Sequence, residues 1–142
     1  MLKRLLDCNT TDLESMNKDQ ILKSIAMSEG RILACETIGA VQPMLGHITN
    51  AEFVCAMGAD VVILNMFDVS EPQIWGLPKV EPKDTIREIK RLTGRLIAVN
   101  LEPAEQSFSA GSDEDIWSLT NGRRASLQNA KAAVSMGADM IV

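Results

Sequence analysis

The run Met136-Gly137-Ala138-Asp139-Met140-Ile141-Val142 echoes an earlier one, Met57-Gly58-Ala59-Asp60-Val61-Val62-Ile63, at an offset of 79 residues. Asn50-Ala51 and Asn129-Ala130 stand at matching distances before the two runs. A second pair interleaves with the first: Gly30-Arg31 precedes Ile32-Leu33-Ala34, and Gly94-Arg95 precedes Leu96-Ile97-Ala98. The four apolar runs are short and continuous, as strands covered on both faces should be. A stretch with apolar residues three and four apart precedes each run, the signal of an amphipathic helix. These stretches are Gln20–Ser28, Asn50–Met57, Asp84–Leu92 and Arg124–Met136. Gly30, Gly58, Gly94 and Gly137 fall where a helix ends in a left-handed residue. Alternating helix and strand implies a parallel α/β sheet with right-handed crossovers. A short turn over Leu2–Asp7 and a helix over Asp12–Met27, with Thr11 as N-cap and Glu14 three residues on, lead into the first strand.

Composition narrows the class. With 142 residues the chain is one domain, and 46% apolar with 23% charged residues is an ordinary globular balance. No apolar run approaches the ~18 residues of a membrane span. The opening Met1-Leu2-Lys3-Arg4-Leu5-Leu6-Asp7 meets charge too early for a secretory signal. A net charge of −5 argues against a nucleic-acid partner. Cys8, Cys35 and Cys55 are odd in number and far apart, which fits a reduced, cytoplasmic setting and no zinc site. No G-x-G-x-x-G, G-x-x-x-x-G-K-[ST] or G-x-S-x-G pattern occurs, so no nucleotide-cofactor or nucleophile-elbow motif is present.

The loops are lopsided. Helix-to-strand links are short, whereas Thr37–Thr49, Met66–Lys83 and Pro103–Arg123 are long and all leave the C-terminal ends of strands. In parallel α/β folds that edge carries the site. Counting five residues on from Arg31, Asp60 and Arg95 gives Glu36, Asn65 and Asn100. Each replaces an apolar residue at the same step, and Glu102 continues the face of Asn100. Carboxylates interleaved with amides suit a divalent cation, a general base, or a polar substrate carrying hydroxyl and carboxylate groups. Glu36 and Glu102 are the catalytic candidates, and Asn65 and Asn100 the substrate-binding ones. Asp68, just past the second strand, is a further binding candidate, although an Asx turn before Ser70-Glu71 explains it equally. His47, the single histidine, lies in the first long loop as an acid/base or binding candidate. Arg123 and Arg124, at the start of the last helix, are candidates to hold an anionic group, although a solvent-facing position is the favoured reading. Asp113-Glu114-Asp115 with Trp117 reads as an acidic loop tip.

Several blocks together carry a family resemblance. They are Met1 to Asn9, Ser28-Glu29-Gly30-Arg31, Asn50 to Asp60, Leu64-Asn65-Met66-Phe67-Asp68 and Gly76-Leu77-Pro78. They resemble bacterial TIM-barrel proteins loosely labelled phosphoenolpyruvate phosphonomutase-like. The layout is similar to the N-terminal half of the phosphoenolpyruvate mutase/isocitrate lyase superfamily. The resemblance implies a phosphonomutase- or lyase-like enzyme acting on a small anionic, possibly phosphorylated, oxo-acid. It also implies a magnesium ion at the third strand, where Glu102 and Asn100 would be its ligands. Here Asn100-Leu101-Glu102 stands where the superfamily has Asp-x-Asp, and Asn65-Met66-Phe67-Asp68 replaces its second-strand Ser-Gly signature.

The expected fold is thus a parallel (β/α) TIM-type barrel, present over 1–142 as its N-terminal half of about four strands with a leading helix. The fourth strand reaches only Val142, so a truncated barrel is expected. The expected partners are a small-molecule substrate and further copies of the chain, with no nucleic acid and no membrane. The alternatives are a phosphate-sugar isomerase or aldolase on the same barrel, and a non-catalytic half-barrel that only assembles. None of the three complete strands ends in the lysine a Schiff-base aldolase needs.

Overall fold

The computed structural model describes residues 1–103 and 118–142. Its four strands are β1 (Ala34–Ile38), β2 (Val61–Asn65), β3 (Leu96–Val99) and β4 (Met140–Ile141). All neighbours are parallel, in the order β1-β2-β3-β4. Helices α1 (Thr10–Ser15) and α2 (Lys18–Met27) precede the sheet. Helices α3 (Asn50–Ala56), α4 (Thr85–Thr93) and α5 (Leu127–Met136) make the three crossovers.

One cluster joins Ala51 of α3, Ile86 and Ile89 of α4, and Ala133 and Met136 of α5 to Val62, Leu64, Ile97 and Val99 of the sheet. The crossover helices therefore cover a single face. Right-handed crossovers between strands in sequential order allow only this arrangement. Side chains alternate along a strand, so Val61, Ile63, Leu96, Ala98 and Met140 form the opposite face. Leu5, Leu13, Ile21 and Ile25 of the leading segment pack onto it. Cys35 pairs in register with Val62 and so faces the helices. Burial pushes the neighbouring Cys55 thiol up to about 11.

The repeated Gly-Ala-Asp is a strand-start device. Gly58 (φ 105°) and Gly137 (φ 111°) are left-handed, where a Cβ is penalised. The alanine after each returns its N–H to the helix, Ala59 to Val54 and Ala138 to Ala133, both at 3.0 Å. Each aspartate then grips the preceding strand. Asp60 donates its N–H to the Leu33 carbonyl (2.8 Å), and its carboxylate accepts the Leu33 N–H (2.9 Å). Asp139 makes the same pair with Ile97, at 2.8 and 2.9 Å. Lys90 of α4 adds an ion pair to Asp139 at 2.7 Å.

Three boundaries differ from expectation. The leading helix is two helices, broken at Met16-Asn17, because Asn9 and Asn17 each cap a helix of their own. Both form complete capping boxes, with Asp12 and Gln20, so Thr11 is inside α1 and is not its cap. Strand β1 lies later than the run Ile32-Leu33-Ala34, since Leu33 is held by Asp60 ahead of the first ladder pair. Helix α5 starts at Leu127 behind the Ser126 cap, and Asn121–Arg123 form a separate 3-10 turn. The third long loop lies largely outside the described residues, and so does the acidic tip Asp113-Glu114-Asp115 with Trp117.

The two aspartates differ in what they protect. Ile97 is fully buried, whereas Leu33 is 50% exposed. Asp139→Ala strands a buried N–H and the Lys90 ammonium, and is expected to cost about 2 kcal/mol. Asp60→Ala, beside solvent, is expected to cost about 1 kcal/mol. Urea denaturation of the two variants checks the order.

Candidate functional site

The C-terminal ends of the strands carry a continuous row of polar side chains. Asn65, closing β2, donates from Nδ2 to Glu36 Oε1. Asn100, one residue past β3, donates from Nδ2 to Asn65 Oδ1 at 3.0 Å. The same Nδ2 lies 3.5 Å from Glu102 Oε1. Arg123 completes the row by placing Nη2 3.4 Å from Glu102 Oε1. Glu36, Asn65, Asn100 and Glu102, separated by up to 66 residues of sequence, thus meet at one edge.

Register explains how. Ala34 pairs with Val61 and Glu36 with Ile63, so Glu36 lies on the face away from the crossover helices. It also stands two residues below Asn65, which pairs with Ile38. The common step expected for Glu36, Asn65 and Asn100 holds for Asn65 and Asn100, since Leu64 pairs with Val99, and is corrected for Glu36. Strand β1 is staggered against β2 by two residues. The long Glu36 side chain spans the step, and Glu36 sits within β1 instead of at its end.

Local backbone geometry holds the amides. Met66, directly after Asn65, is buried and adopts a left-handed φ of 55°. For a non-glycine residue this costs about 1–2 kcal/mol. The turn aims the Met66 N–H back at Asn65 Oδ1, at 2.8 Å. Strain of this kind concentrates where a side chain must be fixed.

Arg123 joins the row although the sequence reading favours solvent for it: it is only 7% exposed and faces the Glu102 carboxylate. The chain around it is stitched onto the extension of β3. Glu102 N–H donates to the Arg123 carbonyl, and Ala125 N–H to the Glu102 carbonyl, both at 2.8 Å. Its Nη1 donates to the Ser118 carbonyl at 2.7 Å. A guanidinium taken from water needs such partners, and a carboxylate at hydrogen-bond range is the strongest of them.

The structure does not bring His47 or Asp68 into the row. His47 is exposed in the β1–α3 loop, and its N–H donates to the Leu45 carbonyl. Asp68 forms the Asx turn that competed with its binding role, accepting from Ser70 N–H (2.7 Å) and Glu71 N–H (3.2 Å). Its carboxylate also packs flat on Gly122, so that a Cβ there would overlap it. The Val69 N–H reaches the Gly122 carbonyl at 3.3 Å. Asp68 therefore braces the turn that carries Arg123.

The expected magnesium site fails on its donor set. Magnesium wants several oxygens in near-octahedral array. Asn100 presents its NH2 group, not its oxygen, toward Glu102. The Arg123 guanidinium occupies the same carboxylate oxygen. Among the described residues, no three His, Cys, Asp or Glu side chains group together. Glu102 and Asn100 as arranged do not fit the ion.

Because Gly122 has no room for a methyl group, Gly122→Ala is expected to cost about 1–3 kcal/mol through overpacking. Asp68→Ala should relieve part of that cost. A double-mutant cycle read by chemical denaturation checks it, and additive costs would remove the proposed brace.

No curated protein and no solved structure matches the chain. Among the described residues, no helix is long and apolar enough to cross a membrane. A family match runs over residues 6–142, nearly the whole length, and the chain belongs to the family described as domain of unknown function DUF7916.

Proposed function

We propose that the chain carries the active-site edge of a (β/α) TIM-type barrel enzyme with lyase- or isomerase-like chemistry on a small oxo-acid. The observation that carries this reading is the hydrogen-bonded row Glu36–Asn65–Asn100–Glu102–Arg123. Sequential parallel strands with every crossover helix on one face support the barrel, since a doubly wound sheet places helices on both. The position of the row, at the strands' C-terminal edge, is where barrel enzymes keep their chemistry. The phosphoenolpyruvate phosphonomutase-like resemblance supplies the reaction class.

Within this reading Glu36 is the base. It is exposed, and its Oε1 is fixed by Asn65, which leaves its second oxygen for a proton. A carboxylate so oriented takes a proton from a carbon beside a carbonyl. Glu102 is less available, because Arg123 holds it. Its role is to keep Asn100 and Arg123 aligned. Electrons left on the substrate oxygen would be met by the remaining N–H of Asn65.

Deuterium exchange beside the carbonyl of small 2-oxo acids, followed by proton NMR on the protein in its full native length, tests the proposal. At least one acid should exchange, and Glu36→Gln should slow it about 100-fold or more. Exchange that survives Glu36→Gln, or none across the panel, overturns it.

A second reading rests on β1, which forms an outer edge of the sheet beside half-exposed Leu33. Open parallel edges recruit further strands. We propose that the chain self-associates through this edge. Sedimentation equilibrium should show a concentration-dependent oligomer, and Leu33→Lys should weaken it. A strictly monomeric species contradicts this reading.

A further inference from the structure

The row's internal bonding determines what a ligand must bring to it. The amide orientations follow from fixed partners. Asn65 has a backbone donor on one side, the Met66 N–H, and a carboxylate acceptor on the other, Glu36. Its oxygen must face Met66 and its nitrogen Glu36. Asn100 then meets Asn65 Oδ1, a pure acceptor, and must present its nitrogen there. Only one assignment satisfies both amides.

With that assignment, Asn65 Oδ1 already accepts two hydrogen bonds and Asn100 Nδ2 has both N–H groups directed within the row. Arg123 is buried and directed at Glu102 and Ser118. Among the described residues, the polar atoms left to meet a ligand are Glu36 Oε2, Glu102 Oε2, Asn100 Oδ1 and one N–H of Asn65. Three are acceptors and one is a donor. A carboxylate or phosphate group brings only acceptors and negative charge, and here would face two carboxylates. A hydroxyl brings a donor and accepts as well. Two or three neighbouring hydroxyls supply the donors that the row lacks.

We infer that the row binds a neutral, hydroxyl-bearing carbon chain, a polyol or sugar-like segment, and that any anionic group of the substrate lies off the row. The inference rests on the site of the proposed function, but not on its reaction. It deepens that reading by making the substrate a hydroxylated oxo-acid.

Saturation-transfer NMR on the full chain tests it with three probes: threitol, malonate and inorganic phosphate. Threitol should bind at least 10-fold more tightly than either anion. Glu36→Gln, at an exposed position, should weaken threitol at least 5-fold. An anion that binds as well as threitol, threitol binding unchanged in Glu36→Gln, or no threitol binding overturns the inference. Threitol binding without 2-oxo acid exchange removes the proposed reaction and keeps this ligand class. Exchange without threitol preference does the reverse.

Discussion

The register between β1 and β2 is the constraint on which the site depends. It is set below the first ladder pair, where Asp60 holds both backbone groups of Leu33. That contact places Ala34 opposite Val61 and Glu36 opposite Ile63. A slip of one residue would turn Glu36 into the helix layer, among Val62 and Leu64, where an unpaired carboxylate is not tolerated. A slip of two would set it level with Asn65 or four residues below it. The site at the C-terminal edge is thus positioned by a hydrogen-bond pair at the other end of the sheet. The same device at Asp139 and Ile97 sets β4 against β3.

Above that register, the site is a balance of two carboxylates, two amides and one guanidinium. The amides separate Glu36 from Glu102, and each bond orients the next. The buried Arg123 compensates Glu102 and leaves Glu36 as the carboxylate that faces solvent. Two similar residues therefore acquire different work from their surroundings. Arg123 owes its own position to Gly122 against Asp68 and to the backbone stitching across Glu102. Loops after β2 and β3 are coupled through that turn. The loops after β1 and β2 are coupled as well, since Trp75 N–H donates to the Gly39 carbonyl at 2.9 Å and Gly39 packs on Ile74.

Much of this was legible in the sequence because it is local. The Gly-Ala-Asp repeat announced two strand starts. The period-two face of Glu36, Asn65 and Asn100 followed from alternation alone. The break at Met16-Asn17 was also written locally, in the Asn17/Gln20 spacing, but apolar periodicity through Ile21 and Ile25 masked it. The stagger of β1 was not legible, because register is a property of two strands and their hydrogen bonds. The burial of Arg123 was hidden for a similar reason. Its partner lies 21 residues away, and only the folded backbone around Glu102 brings them together. The magnesium expectation came from the resemblance and from residue types, which give oxygen-bearing side chains, whereas the bonding here turns an NH2 group toward Glu102.

The most direct test of the account is whether the row is one connected network in solution. The side-chain amide signals of Asn65 and Asn100, recorded by nitrogen-15 NMR, report on it. Replacing Glu36 by Gln should shift the Asn65 amide strongly and, through the Asn65–Asn100 bond, the Asn100 amide as well. Replacing Glu102 by Gln should do the same in the opposite order. If Glu36→Gln leaves both amides where they were, the row is not connected, and the site built on it does not exist.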